Sequence, residues 1–153
     1  MRMIAIAGLM LCVAPGALAQ QPLPPEPMFC DPASDPYDAV AAAPYSHRVL
    51  FEDEHVRILE INLPALATEP IHIHALPSVI MGETGGDGGG KFRYTQYRME
   101  DGKFVEVSYN DVEPSGGYRA VWSGPEGPHA ITNIGQVGVK FTRVEIKPES
   151  CAK

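Results

Sequence analysis

From residue 48 to the C-terminus the chain is a series of short runs alternating in polarity. Each is closed by glycine, proline or an Asp-Gly turn, and no stretch carries the spacing of a long amphipathic helix. The runs fall at 48–52, 56–63, 71–74, 78–81, 91–98, 104–109, 118–122, 129–134 and 137–147. In the second run Val56 and Ile58 alternate with Arg57, Glu60 and Asn62 in a rough in-out pattern. Asp101-Gly102 is a hairpin turn signal. Residues 82–90 hold six glycines in nine positions and read as a slack loop or a lid. About nine short strands with close turn signals and no repeat at a fixed period specify an all-β chain, an antiparallel β-barrel or sandwich.

The part before this is of a different kind. Arg2, the apolar run 3–13 and Ala17-Leu18-Ala19 have the order of a secretory signal peptide covering residues 1–19, with Cys12 inside it. The apolar run is too short to span a bilayer, so no membrane span is expected after processing. Residues 20–43 form a proline-rich arm with Pro22, Pro24, Pro25, Pro27, Pro32 and Pro36, read as an extended spacer. Residues 44–153 are left for one folded domain with a modest core. Cys30 and Cys151 stand at opposite ends of the processed chain and read as a disulfide, which suits a periplasmic or secreted location. The net charge is −7 and no basic run occurs, so nucleic acid and anionic lipid are not expected partners.

Chemistry concentrates in two places. In a strand, His72 and His74 project from the same face and Ile71 and Ile73 from the other. Paired imidazoles suit Zn, Cu, Fe or Ni, although His-x-His alone also fits a plain polar outer face. Further on, Pro125 and Gly127 make a rigid turn that delivers His129 at a strand start, with Asn133 four residues later.

These two segments resemble the two motifs of the cupin superfamily. The resemblance covers residues 46–148 and extends to Glu54-His55-Val56-Arg57-Ile58-Leu59, Pro77-Ser78-Val79, Gly127-Pro128-His129, Asn133-Ile134-Gly135 and Val144-Glu145-Ile146-Lys147. It implies a cupin jelly roll whose mouth holds a divalent metal (Fe, Zn, Ni, Cu or Mn) on His72, His74 and His129. The chain departs from the family at the motif glutamate, where Ser78 or Val79 stands, with Gly85 or Gly86 at the following glycine. Three histidines with open positions still form a metal shell of the kind seen in catalytic zinc sites.

Ser78, Tyr94, Gln96, Arg98 and Trp122 are the candidate pocket-lining residues. Tyr94, Gln96 and Arg98 share a strand face whose direction the sequence leaves open. If that face is inward, Arg98 is placed to clamp a substrate carboxylate. Glu83 and Glu126 lie near the motifs as candidate general bases or solvated loop carboxylates. His55 reads as a bystander and His47 as a solvated residue at the domain edge.

The chain is therefore expected to bind or act on a small polar molecule. One reading is a metal-dependent dioxygenase, isomerase or lyase, with the metal as Lewis acid or oxygen binder. The alternative is a metal-free ligand-binding or sensing module, and a third is a partner-binding domain with a decayed site. A homodimer is compatible with each.

Overall fold

The structure, a computed structural model, describes residues 30–83, 90–113 and 117–152. The signal-peptide segment, the first part of the arm, most of the glycine-rich loop and the side chain of Glu83 lie outside the described residues.

Nine strands are formed among them: β1 (His47–Glu52), β2 (Val56–Leu63), β3 (His72–His74), β4 (Ser78–Glu83), β5 (Phe92–Glu100), β6 (Lys103–Val112), β7 (Tyr118–Ser123), β8 (Glu126–Asn133) and β9 (Val139–Ile146). They follow the expected runs because each run alternates in polarity and ends at a turn residue. Asp101 (φ 48°) and Gly102 (φ 74°) make the tight link from β5 to β6, where both central positions need positive φ. β8 begins earlier than expected, so Pro125 ends the approach and Pro128 lies within the strand.

The strands form two antiparallel sheets, β1-β2-β9-β4-β7 and β3-β8-β5-β6. Between the sheets the chain crosses over repeatedly, and only the β1–β2 and β5–β6 hairpins stay within one sheet. This is the jelly-roll order, the two-sheet fold class that includes cupins. The barrel expected from sequence takes the form of two facing sheets, and no strand ladder among the described residues joins them.

The sheets meet over an unusual interior. Leu59, Ile61, Leu63, Leu76 and Ala130 form its apolar part. Beside them Arg57, His72, His74, His129, Arg143 and Glu145 are buried as well. On β2 the inward set is Arg57, Leu59, Ile61 and Leu63, so Arg57 faces in, against its expected outward polarity. Its charge is compensated. Asp38 Oδ1 and Oδ2 accept from Nη1 at 2.9 Å and Nη2 at 2.6 Å, and Glu145 Oε2 accepts from Nε at 2.6 Å.

Asp38 belongs to the segment read from sequence as a spacer. Residues 30–43 are packed instead. A 3-10 turn (Pro32–Ser34) leads to a helical turn, α1 (Ala39–Ala42), and Ala39 and Ala43 are fully buried. Asp38 caps α1 by accepting from the Val40 N–H at 3.0 Å. Cys30 is bonded to Cys151, with Cα atoms 5.2 Å apart. Proline density explains the irregular backbone of this segment; the buried Asp38–Arg57 pair explains why it is docked.

Candidate metal centre

Four imidazoles converge between the sheets. His72 and His74 come from β3 and His129 from β8, where it is the direct cross-strand partner of His72 rather than a residue facing it across the fold. His47 comes from β1 of the other sheet, at the inward-facing position paired with Ile61. Ring centroids lie 4.4 Å apart for His72 and His129, 4.6 Å for His47 and His72, 5.2 Å for His72 and His74, and 5.3 Å for His47 and His74. His47 is 3% exposed, not solvated. The start of β1 lies under Glu69 and against β3, which is why a position at the domain edge in sequence is internal in space.

Among the described residues, two groups are compact enough to hold an ion. The nitrogens of His47, His72 and His74 lie within 4.8 Å of one another, and so do the ligand atoms of His74, Glu126 and His129. His74 belongs to both.

The tethering of each ring decides which nitrogen is left to bind. The Nδ1–H of His72 donates to the Pro70 carbonyl at 2.9 Å, and that of His129 to the Gly127 carbonyl at 2.8 Å. The Nδ1–H of His74 donates to Glu145 Oε1 at 2.7 Å. His47 Nδ1 lies 3.0 Å from Ser46 Oγ, which donates to Glu69 Oε2 at 2.9 Å. Each ring is thus fixed through Nδ1 and has Nε2 to offer, the arrangement that orients imidazole ligands in metal sites. His72 Nε2 is buried with no hydrogen-bond partner among the described residues. An orphaned buried lone pair of this kind fits a metal ion.

Electrostatics agree. Burial pushes His47 down to about 3 and His72 to about 2; the Arg143 guanidinium adds to it for both, and for each ring protonation of a second ring beside it would be further opposed. Burial also lowers His74 and His129, and the Arg143 guanidinium contributes to both. All four rings are neutral at ordinary pH, the form in which imidazole can bind a metal. Glu69 is pushed up to about 7 by burial and Glu145 is raised for the same reason. An all-imidazole group with a carboxylate beside it suits Zn, Cu, Fe or Ni.

The other candidates separate. Tyr94 stacks on His129 with centroids 4.8 Å apart, and its hydroxyl lies 3.4 Å from Glu126 Oε1. Tyr94, Gln96 and Arg98 line an open cleft of about 840 Å³ together with Glu126 and Gly127. Gln96 accepts from Ser108, and Arg98 pairs with Glu100 instead of reaching the histidines. Ser78 is buried, on the strand beside Glu145. Trp122 is 62% exposed on β7 and lines neither core nor cleft, because β7 is the edge of its sheet. His55 is exposed, near Glu54. Asn133 has a structural job. Its Nδ2 donates to the Leu63 and Val137 carbonyls, and its Oδ1 accepts from the Gly135 N–H. An added Cβ at Gly135 would lie 3.0 Å from the Lys91 nitrogen, so a larger residue there would have to push that backbone aside.

No family model matches the chain, and no curated protein does. Solved structures do. A cupin domain from Bordetella pertussis Tohama I is 18% identical over 67% of this chain and 92% of its own, with a TM-score of 0.46. An RmlC-like cupin with a double-stranded β-helix fold from Methanocaldococcus jannaschii is 20% identical over 66% of this chain and 78% of its own, with a TM-score of 0.45. A Bacillus halodurans protein is 13% identical over 86% of this chain and 85% of its own, also at 0.45. These are likenesses in outline; the fold assignment rests on the strand order.

Sequence alone reads His47 as a solvated residue at the domain edge and does not single out Arg143. Parity from Ile61 across the β1–β2 hairpin leads to His47 once the register is known. Arg143 shares a face with Glu145, and the apolar Val144 between them suggests the opposite orientation.

Proposed function

We propose that this chain is an exported cupin-type protein that holds a divalent metal on its buried histidines and binds or acts on a small polar molecule there. The observation that carries the metal reading is the tethering of four buried neutral imidazoles through Nδ1, with the Nε2 of His72 left unpartnered. Export is supported by the leader-like residues 1–19 and by the Cys30–Cys151 disulfide, which belongs in an oxidising compartment.

His47, His72 and His74 would hold the ion, with His129 and Glu126 beside them on the cleft side. A bound ion would supply Lewis acidity. Glu145 keeps His74 in the Nδ1–H tautomer and is itself held by Arg57. Tyr94 covers one face of His129 and separates it from the cleft.

The test is elemental analysis of protein purified from the exporting compartment, then of apo-protein offered Fe, Ni, Cu, Zn and Mn in turn. One equivalent of bound metal is expected. Binding of none at one equivalent rejects the metal reading and leaves the metal-free binding module.

A further inference from the structure

Arg143 is a buried cation that the metal site does not use. It is 3% exposed, on the inward face of β9. Its Nη1 meets Glu126 Oε2 at 2.5 Å across the space between the sheets. Its Nε and one further nitrogen, Nη2, have no hydrogen-bond partner among the described residues. The Glu145 Oε1 atom stands 3.8 Å from Nε, an ion-pair distance but beyond a hydrogen bond. Buried charged donors left unmade are costly, so a fold that keeps two on one side chain needs a reason.

Those two donors form one edge of the guanidinium, with parallel N–H bonds spaced to meet the two oxygens of a carboxylate. The same molecule shows that edge at work on its surface. Arg93 uses Nε at 2.7 Å and Nη2 at 3.0 Å to clasp Asp111. Arg57, in the same interior, has every nitrogen engaged by Asp38 and Glu145. Among the described residues, Arg143 is the interior arginine whose Nε–Nη2 edge has no hydrogen-bond acceptor, with Glu145 Oε1 only at ion-pair distance.

We propose that the free edge of Arg143 binds the carboxylate of a small monoanionic ligand, placing it beside the histidine cluster. For its charge balance the proposal rests on the metal reading; for its contact it rests on Arg143. The formal interior charges are Arg57 and Arg143 against Asp38, Glu69, Glu126 and Glu145, two negative in excess. A divalent ion would cancel that excess, which otherwise repels an anion, and leave the paired N–H donors of Arg143 free to hold a carboxylate. Glu126, which pairs with Arg143, and Tyr94, which stacks on His129, both line the 840 Å³ cleft, which is of a size that takes small molecules.

The experiment is calorimetric titration of the metal-loaded and the EDTA-treated full chain with acetate and with its neutral isostere acetamide. One equivalent of acetate is expected to bind, with acetamide weaker by about tenfold or more, since it lacks the charge-assisted pair. Arg143→Lys is expected to lose about tenfold in acetate affinity, because a point charge replaces the fork. Arg93→Lys, on the surface, is expected to lose none. If Arg143→Lys fails to fold, the Nε–H resonance of Arg143 in the unaltered protein gives the answer, and it is expected to shift on acetate addition. No acetate-dependent heat in either form, equal affinity for acetate and acetamide, an Arg143→Lys variant that binds as well, or an unmoved Nε–H resonance overturns the proposal. A chain that binds no metal but still takes acetate through Arg143 refutes the metal reading and leaves this one standing.

Discussion

At the scale of single residues, the histidines were partly legible. His72 and His74 declare themselves by period two, and His129 by its Pro-Gly approach. His47 does not, because nothing near it in sequence reveals that β1 turns its first residue under the second sheet. If His47 is a ligand, His47→Ala should remove most of the bound metal while the far-ultraviolet dichroism stays that of the β fold, and His55→Ala should keep a full equivalent. Metal retained in full by His47→Ala would return the site to His72, His74 and His129. The buried rings also set a pH dependence for the metal-free protein. Their folded pKa values lie below the ordinary 6.5, so below that pH the unfolded chain binds more protons than the folded one. Stability therefore falls as pH drops through 6.5 and keeps falling toward the folded values. Glu69 and Glu145, raised by burial, act in the opposite direction above 4.5, but four rings outnumber two carboxylates. The thermal midpoint of EDTA-treated protein, measured from pH 8 to 5, should drop; a flat profile would mean that the rings are not buried as neutral groups.

At the scale of elements, strand positions were readable and strand faces were not. Alternation marks where β2 and β9 run, but it assigns their apolar residues to the inside. In this fold the inward face of β9 carries Arg143 and Glu145, while Val144 and Ile146 point the other way. The inversion is tolerated because the charges compensate one another across strands: Asp38 with Arg57, Arg57 with Glu145, Arg143 with Glu126. A period-two pattern cannot reveal this, since partners 88 residues apart, such as Arg57 and Glu145, supply the compensation. The chain of contacts ends on a candidate ligand, because Glu145 also accepts from His74. Glu145→Gln preserves shape but weakens both contacts. It should lower metal affinity by about 10–100-fold, the usual effect of losing a group that orients a ligand. It should also destabilise the fold by up to about 3–5 kcal/mol through Arg57. Metal competition and denaturant unfolding read the two effects separately. An unchanged affinity would show that His74 does not need its carboxylate.

At the scale of the molecule, the segment before β1 joins the two sheets. Asp38 grips Arg57 of the first sheet, while the Ile73 N–H of the second donates to the Tyr37 carbonyl at 2.7 Å and Tyr37 packs edge-on against Phe104 at 5.1 Å. The start of this segment is fastened to the C-terminal tail by the disulfide, across 121 residues of sequence. Composition pointed to a tether because prolines exclude regular structure; it says nothing of docking through one aspartate. The two fastenings should differ in what they control. Cys30→Ser together with Cys151→Ser removes the covalent link, which in the chain-entropy account stabilises a loop of this length by up to about 5 kcal/mol. The thermal midpoint should fall, and so should that of the unaltered protein on reduction. Metal content should hold, since the histidines are tethered by Ser46, Pro70, Gly127 and Glu145 rather than by the cysteines. Asp38→Ala leaves the disulfide in place but strips Arg57 of its bidentate partner and α1 of its cap. It should cost about 3–5 kcal/mol from the buried pair and also loosen the metal, because Glu145 must then serve Arg57 and His74 without help. If the double serine variant loses metal as readily as Asp38→Ala, the disulfide rather than Asp38 holds the centre together.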